Sequence, residues 1–198
     1  MKLEYYIIYK PYKTLSQFSA VPGKKTLHDF FSLQKDIYPV GRLDEDSEGL
    51  LLLTNDTSVN KKLLDPLFAH TREYLVQVEG TISEDAITNM SKGIAINVQG
   101  KMYTTKPCDI SKPDDEPLVP ERIPPIRFRK NIPTSWIRII LKEGKNRQVR
   151  KMTAAAGFPT LRLLRTRIAG ITLGNLQPGE IKMLDKTAVY KKLWNEAG

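Results

Sequence analysis

Three groups of residues in this chain have types and spacings that could do chemistry. The first is Gly41-Arg42-Leu43-Asp44-Glu45-Asp46-Ser47-Glu48-Gly49. Carboxylates packed this densely could hold a cation, activate water, or act as nucleophile or base. As a calcium loop the run offers Asp44, Asp46 and Glu48 at alternating positions. Its twelfth position, however, is Asn55 where a bidentate Glu is needed, and Leu50 to Leu53 fill the interior. A magnesium-dependent nuclease could use the same acids, but alternating loop acids are a weak signal for it. A solvated acidic turn is the default for any short charge run. Two features argue against that default: Arg42 lies two residues from Asp44 with Leu43 between them as an apolar anchor, and the run leads directly into the apolar Leu50 to Leu53. A loop of this kind presents a carboxylate at the end of a sheet.

The second group is Leu141-Lys142-Glu143-Gly144-Lys145-Asn146-Arg147-Gln148-Val149-Arg150-Lys151-Met152. On a helix from Asn146 to Ala156, Val149, Met152 and Ala156 form an apolar stripe, with Arg147, Arg150 and Lys151 on or beside it. Exposed backbone N–H groups at the start of that helix, together with Lys145, would make an anion site. Spacing alone leaves a generic basic helix or a DNA-reading helix open. The third is Tyr74, in the alternating stretch Glu73 to Glu79. A strand tyrosine is far more often a packing residue than a reacting one.

The elements that must position these groups can be read coarsely. Tyr5 to Tyr9 is aromatic and β-branched, a strand. Thr26, with Asp29 three residues on, caps a short helix. Ile37 to Val40 and Leu50 to Leu53 read as strands. Asn55 or Asp56 opens a helix that stops near Pro66, and Glu73 to Glu79 is a strand with one apolar face. A helix from Ser83 to Gly93 follows, then strands over Ile94 to Val98, Tyr103 to Ile110 and Trp136 to Leu141. After the Asn146 helix come strand-like segments through Leu173, Ile181 to Leu184, and a last helix from Lys186 to Trp194. Residues 111–133, holding six of the 13 prolines, form a Pro-rich loop. Clustered strands with helices between them and no regular βαβ alternation predict an α+β fold with a mixed or antiparallel sheet.

Composition narrows the classes. A chain of 198 residues with 40% hydrophobic and 27% charged residues suits one domain or two small lobes. No apolar run approaches the roughly 20 residues of a membrane helix, and Met1 to Tyr5 opens no signal peptide, so a cytoplasmic protein is expected. One cysteine, Cys108, excludes an internal disulfide and reads as a small packed hydrophobe. With His28 and His70 the only histidines, no metal site is expected. The net charge of +9 is unevenly placed: residues 122–167 hold 13 of the 31 Lys and Arg against one acid, Glu143. That segment is suited to a polyphosphate partner.

Taken together in their order and spacing, the Gly-Arg-Leu-Asp loop with Ser-Glu-Gly-Leu-Leu-Leu-Leu-Thr-Asn after it, Tyr74, and Glu-Gly-Lys-Asn-Arg-Gln-Val-Arg-Lys-Met resemble the pseudouridine synthases that act on small- and large-subunit rRNA. Lys10-Pro11-Tyr12, Gln17-Phe18-Ser19, Pro124-Pro125-Ile126-Arg127, Ile132 to Trp136 and Gly157 to Leu163 resemble the large-subunit enzyme E branch of that family. The likeness runs from about residue 3 to about residue 184. Ser47 stands where relatives often have Thr, and Thr57 where many have Gly. The resemblance implies one catalytic domain over 1–198 without the N-terminal S4 module of many relatives. It also implies a central sheet in two subdomains flanked by helices, with the active-site cleft between them. It makes Asp44 the essential carboxylate, Arg150 its basic partner, and Tyr74 the aromatic that stacks on the target base. Arg42 would enter the RNA helix that a flipped base has left. Lys145, Asn146, Arg147, Lys151, Arg127, Arg129 and Arg162 would contact RNA. No cofactor is implied; the partner is ribosomal RNA, in particular a large-subunit stem-loop, with neither DNA nor membrane, and the protein is expected to be a monomer.

Three rivals make different predictions. A non-catalytic rRNA-binding or ribosome-assembly protein would bind RNA and yield no product. A DNA-binding regulator would use the Asn146 helix on duplex DNA. A metal-dependent nuclease would be stopped by chelator.

Overall fold

The computed structural model describes residues 2–126, 129 and 131–194. The chain falls into two compact units, Met1–His70 with Leu164–Gly198, and Thr71–Leu163.

The first unit is built on β1 (Tyr5–Lys10), the short β2 (Thr14–Leu15), β3 (Lys25–Thr26) and β4 (Tyr38–Pro39), and β5 (Glu48–Thr54), followed by α1 (Thr57–Leu64). Strand β5 is buried at every position, as an apolar run with Glu48 at its head requires. It pairs antiparallel with β1, Ile8 facing Leu51, and antiparallel with β4. The predicted capping box is present: Thr26 and Asp29 bracket a single 3-10 turn, Leu27–Asp29. Asp56 caps α1 by accepting from the Ser58 N–H at 3.0 Å.

The second unit holds β6 (Arg72–Glu79), α2 (Glu84–Lys92), β7 (Ala95–Val98), β8 (Lys101–Thr104), β9 (Asp109–Ser111), β10 (Thr134–Leu141), α3 (Gln148–Ala155) and the start of β11 (Thr160–Ile168). Strand β10 is central, antiparallel to both β6 and β9. Its core gathers Val76, Val78, Ile87, Met90, Ile137, Ile139, Val149 and Met152, so one face of β6 and the predicted stripe of α3 share one apolar interior. Cys108 packs against this core, and burial pushes its thiol up to about 11. That keeps it a protonated packing residue at neutral pH.

From Leu164 the chain returns to the first unit. There β11 runs parallel to β5 (Leu164 beside Glu48, Arg165 beside Gly49), followed by β12 (Ile171–Thr172), β13 (Ile181–Leu184) and α4 (Lys186–Trp194). Strand β13 completes the far side of β1, antiparallel. The result is α+β with a mixed sheet, as the clustering of strands predicts.

Several boundaries differ from the sequence reading, and two of them have a local cause. The strand expected over Tyr103 to Ile110 is two strands, because at Thr105, opposite Ile94 in the β7–β8 register, the side-chain hydroxyl takes over the acceptor role of the backbone carbonyl and Pro107 follows. The Thr105 N–H donates to the Ile94 carbonyl and its hydroxyl accepts from the Ile94 N–H, both at 3.0 Å. Helix α3 begins at Gln148 rather than Asn146, since Arg147 takes a left-handed φ of 52°.

Candidate active site

In the first unit the acidic run is a shaped loop. Leu43 is buried, as an anchor should be, while Arg42 is exposed and Asp44 half-buried. The backbone of Leu43 is held from both sides by Ser16, whose hydroxyl donates to its carbonyl at 2.8 Å and accepts from its N–H at 3.0 Å. A turn then closes from the Ser47 N–H to the Asp44 carbonyl at 3.0 Å. Asp44 therefore lies between a fixed residue and a closed turn, at the entrance to β5.

Beneath the loop lies a set of buried charges that sequence reasoning did not single out. The fully buried Lys10 ends β1, and its ammonium donates to the carbonyls of Thr14 at 2.7 Å, Pro11 at 3.1 Å and Glu45 at 3.5 Å. Burial lowers its pKa to about 7, although Glu48, Asp46 and Asp44 favour its charge and Arg165 opposes it. The Arg165 Nε donates to the Leu50 carbonyl at 2.8 Å. Gly49 makes this packing possible: with φ at +98°, a Cβ there would fall 2.4 Å from the Arg165 carbonyl oxygen. The sequence signals for Lys10 are a cation closing an otherwise apolar strand and its place in the Lys10-Pro11-Tyr12 stretch that resembles the enzyme E branch.

In the second unit Tyr74 sits on β6 opposite Ile139, half-buried against the core that α3 also covers. Arg150, on α3, is half-buried, and its Nη1 donates to the Thr160 carbonyl at 3.4 Å. The loop before α3 exposes Lys145, Asn146 and Arg147, and Lys151 is half-buried one turn on. Its shape is set by Glu143, the sole acid of the basic stretch. That carboxylate accepts from the Tyr103 hydroxyl at 2.6 Å, the Lys106 N–H at 2.9 Å and the Gln148 amide at 2.6 Å. Burial would raise the carboxyl's pKa, but these donors and Lys145 outweigh it and hold it below the usual value. The other end of the Gln148 amide accepts from the Lys145 N–H at 2.9 Å. The Lys145 N–H, just before the helix, is thus satisfied internally. Lys145 places its ammonium 4.7 Å from the Tyr103 ring centre.

Not every basic residue is displayed. Arg162 is only 5% exposed, and its Nη2 donates to the Pro120 carbonyl at 2.7 Å. Arg122 donates to Pro124, Pro125 and Leu161 carbonyls. Both staple the proline-rich loop, since prolines remove backbone donors and leave carbonyls to be satisfied. For Arg162, buried placement replaces the surface position expected for a phosphate contact. Arg129 is exposed but ion-paired with Glu79 at 2.9 Å. Arg127, expected to contact RNA, lies outside the described residues.

A family model described as RNA pseudouridylate synthase matches residues 4–155, a stretch that carries Asp44, Tyr74 and Arg150. The chain belongs to this family. It is an isomerase of uridine in RNA by that membership. It is 49% identical over 176 residues to the ribosomal large subunit pseudouridine synthase E of Vibrio parahaemolyticus, spanning 89% of this chain and 71% of the relative. With the synthase E of Xanthomonas campestris it shares 42% identity, over 92% of this chain and 96% of the relative. Among solved structures it resembles a pseudouridylate synthase with a TM-score of 0.77 at 24% identity, covering 97% of this chain and 74% of that one. It also resembles human RNA pseudouridylate synthase domain containing 1, with a TM-score of 0.56 at 14% identity, covering 91% and 78%. At those identities the structural likenesses speak for the fold.

Proposed function

We propose that this protein converts a specific uridine of 23S ribosomal RNA to pseudouridine, in the cytoplasm, as a monomer, with Asp44 as its essential carboxylate. The observation that carries the substrate is the match to large-subunit synthases over nearly the whole length of both chains, 92% and 96% in the Xanthomonas case. In the reaction the N1–C1′ bond breaks, the uracil turns, and a C5–C1′ bond forms, while the proton on C5 is lost and N1 gains one. The exchange is redox-neutral. An ionised carboxylate can attack or abstract the proton, and a nearby cation keeps a carboxylate ionised. Arg150 is assigned that task by resemblance, Tyr74 the stacking on the target base, and Arg42 the filling of the vacated stack. Support for Asp44 comes from its placement: it stands between the Ser16-clamped Leu43 and the Ser47 turn, held in place rather than free as a solvated turn would be. Extruding the base costs a few kcal/mol, which phosphate contacts and stacking offset. The exposed loop of Lys145 and Asn146 lies where phosphates would be met.

The test is pseudouridine mapping of rRNA from cells with and without the gene. Loss of a large-subunit signal, restored by wild type and not by Asp44→Asn, is the expected result. Restoration by Asp44→Asn would overturn the assignment of Asp44, and an unchanged map would favour the binding-protein reading. Purified Asp44→Asn should retain RNA binding, and Arg150→Ala should lose turnover more than affinity.

A further inference from the structure

Three large apolar side chains are exposed where α1 ends: Leu64 at 47%, Leu67 at 89% and Phe68 at 52%. Leu64 ends α1, and Leu67 and Phe68 stand on a pinned 3-10 turn, Pro66–Phe68. The Asp65 side chain accepts from the Leu67 N–H at 2.9 Å, Phe68 N–H donates to the Asp65 carbonyl at 3.2 Å, and Ala69 N–H to the Pro66 carbonyl at 3.2 Å. A turn held at three points does not fold its apolar tips inward, and adjoining exposed apolar groups of this size mark a contact surface.

The surroundings name the partner. Phe68 begins a row of rings: His70 stacks on it at 6.0 Å and 19°, Trp194 follows His70 at 5.9 Å, and Tyr190 follows Trp194 at 5.5 Å. Lysines flank the row. Lys62 holds its ammonium 5.0 Å from the Trp194 ring centre and Lys186 lies 5.4 Å from that of Tyr190, with Lys61, Lys191 and Lys192 also exposed. The nearby acids Asp65 and Asp185 each accept a backbone N–H at a helix start. An aromatic face rimmed by ammonium groups complements a base with its phosphates. The position fits too: Leu64 Cδ2 lies 3.0 Å from where a Cβ on Gly41 would be, and Gly41 opens the loop that carries Arg42 and Asp44.

We infer that the Pro66–Phe68 turn is a second RNA-contacting surface, on which an unpaired base near the target uridine stacks on Phe68 and packs against Leu67, its phosphates met by Lys61 and Lys62. This rests on the rRNA reading above.

The experiment measures product formation and affinity for the full-length protein on a large-subunit rRNA stem-loop carrying the target uridine. Phe68→Ala and Leu67→Ser should each raise KM and Kd about tenfold, a loss in the range of one base–aromatic stack. Phe68→Trp should restore both. Abasic substitution of the stacked nucleotide should weaken wild type by a similar factor and Phe68→Ala by far less. Wild-type KM and Kd in both single variants, or equal abasic losses in wild type and Phe68→Ala, would overturn the inference. So would a concentration-dependent dimer that Leu67→Ser dissolves, which would assign the patch to a second copy. Failure of wild type itself to modify large-subunit rRNA would instead strike the underlying reading.

Discussion

The hydroxyl of Ser16 holds both polar groups of Leu43, donating to its carbonyl at 2.8 Å and accepting from its N–H at 3.0 Å, with both residues buried. One side chain thus fixes the residue immediately before Asp44.

Ser16→Ala should therefore leave two buried backbone groups of Leu43 without their partner. A cost of about 2 kcal/mol in stability follows from the general penalty for such groups, readable by denaturant unfolding. Because the loop that slackens carries Asp44, the role proposed for it requires turnover to fall about tenfold while KM changes little. Unchanged kcat in a stable Ser16→Ala protein would show that the clamp does not position the carboxylate.

Glu143 offers a test in which two physical arguments give opposite signs. Charge arithmetic alone says that removing the one acid from a net +12 stretch should tighten RNA binding. The structure says otherwise, because that carboxylate holds Tyr103, Lys106 and Gln148 in place and thereby shapes the loop of Lys145, Asn146 and Arg147. Glu143→Gln should weaken binding several-fold and flatten the dependence of log Kd on log salt. Tighter binding would decide for simple charge.

Acid should attack the first unit through Asp56. Burial raises this carboxyl's pKa, but hydrogen bonds from Ser58, Tyr5 and Tyr190 outweigh it and hold it down to about 2. A depressed carboxylate stabilises the fold above its unfolded pKa of about 4, and that contribution is lost as pH falls through about 2. Asp56→Asn should lower stability at neutral pH by roughly 2 kcal/mol and flatten the acid limb of a stability-versus-pH curve. An acid limb identical to wild type would contradict this.

Lys10 carries the opposite sign. Its pKa is lowered on folding to about 7, so the unfolded chain binds the extra proton above that pH, and this group's burden on stability is relieved as pH rises from about 7 toward 10.5. Relative to Lys10→Met, wild type should gain stability over that interval. Parallel curves would mean that the ammonium stays charged in place, neutralised by Glu48, Asp46 and Asp44.

Much of this was legible in the residues. Leu43 as an anchor, the all-buried β5, the Thr26–Asp29 box and the apolar face of α3 all follow from local pattern, which sequence carries directly. Asp44 is proposed on its loop and its resemblance. The structural roles of Ser16, Lys10 and Gly49 could not be read there, because they depend on partners 27, 35 and more than 100 residues away. Arg162 shows the limit from the other side: charge in a sequence does not reveal whether a guanidinium meets solvent or, as here, a proline carbonyl.

The likeness read in the sequence ends at about residue 184, before the last helix begins. Yet the phenols of Tyr5 and Tyr190 donate to the same oxygen of Asp56, at 2.7 and 2.8 Å. The helix is a buckle rather than a tail. A shortened enzyme cut before Tyr190 would take one of the two phenols from Asp56 and loosen the clasp between the opening strand and the last helix.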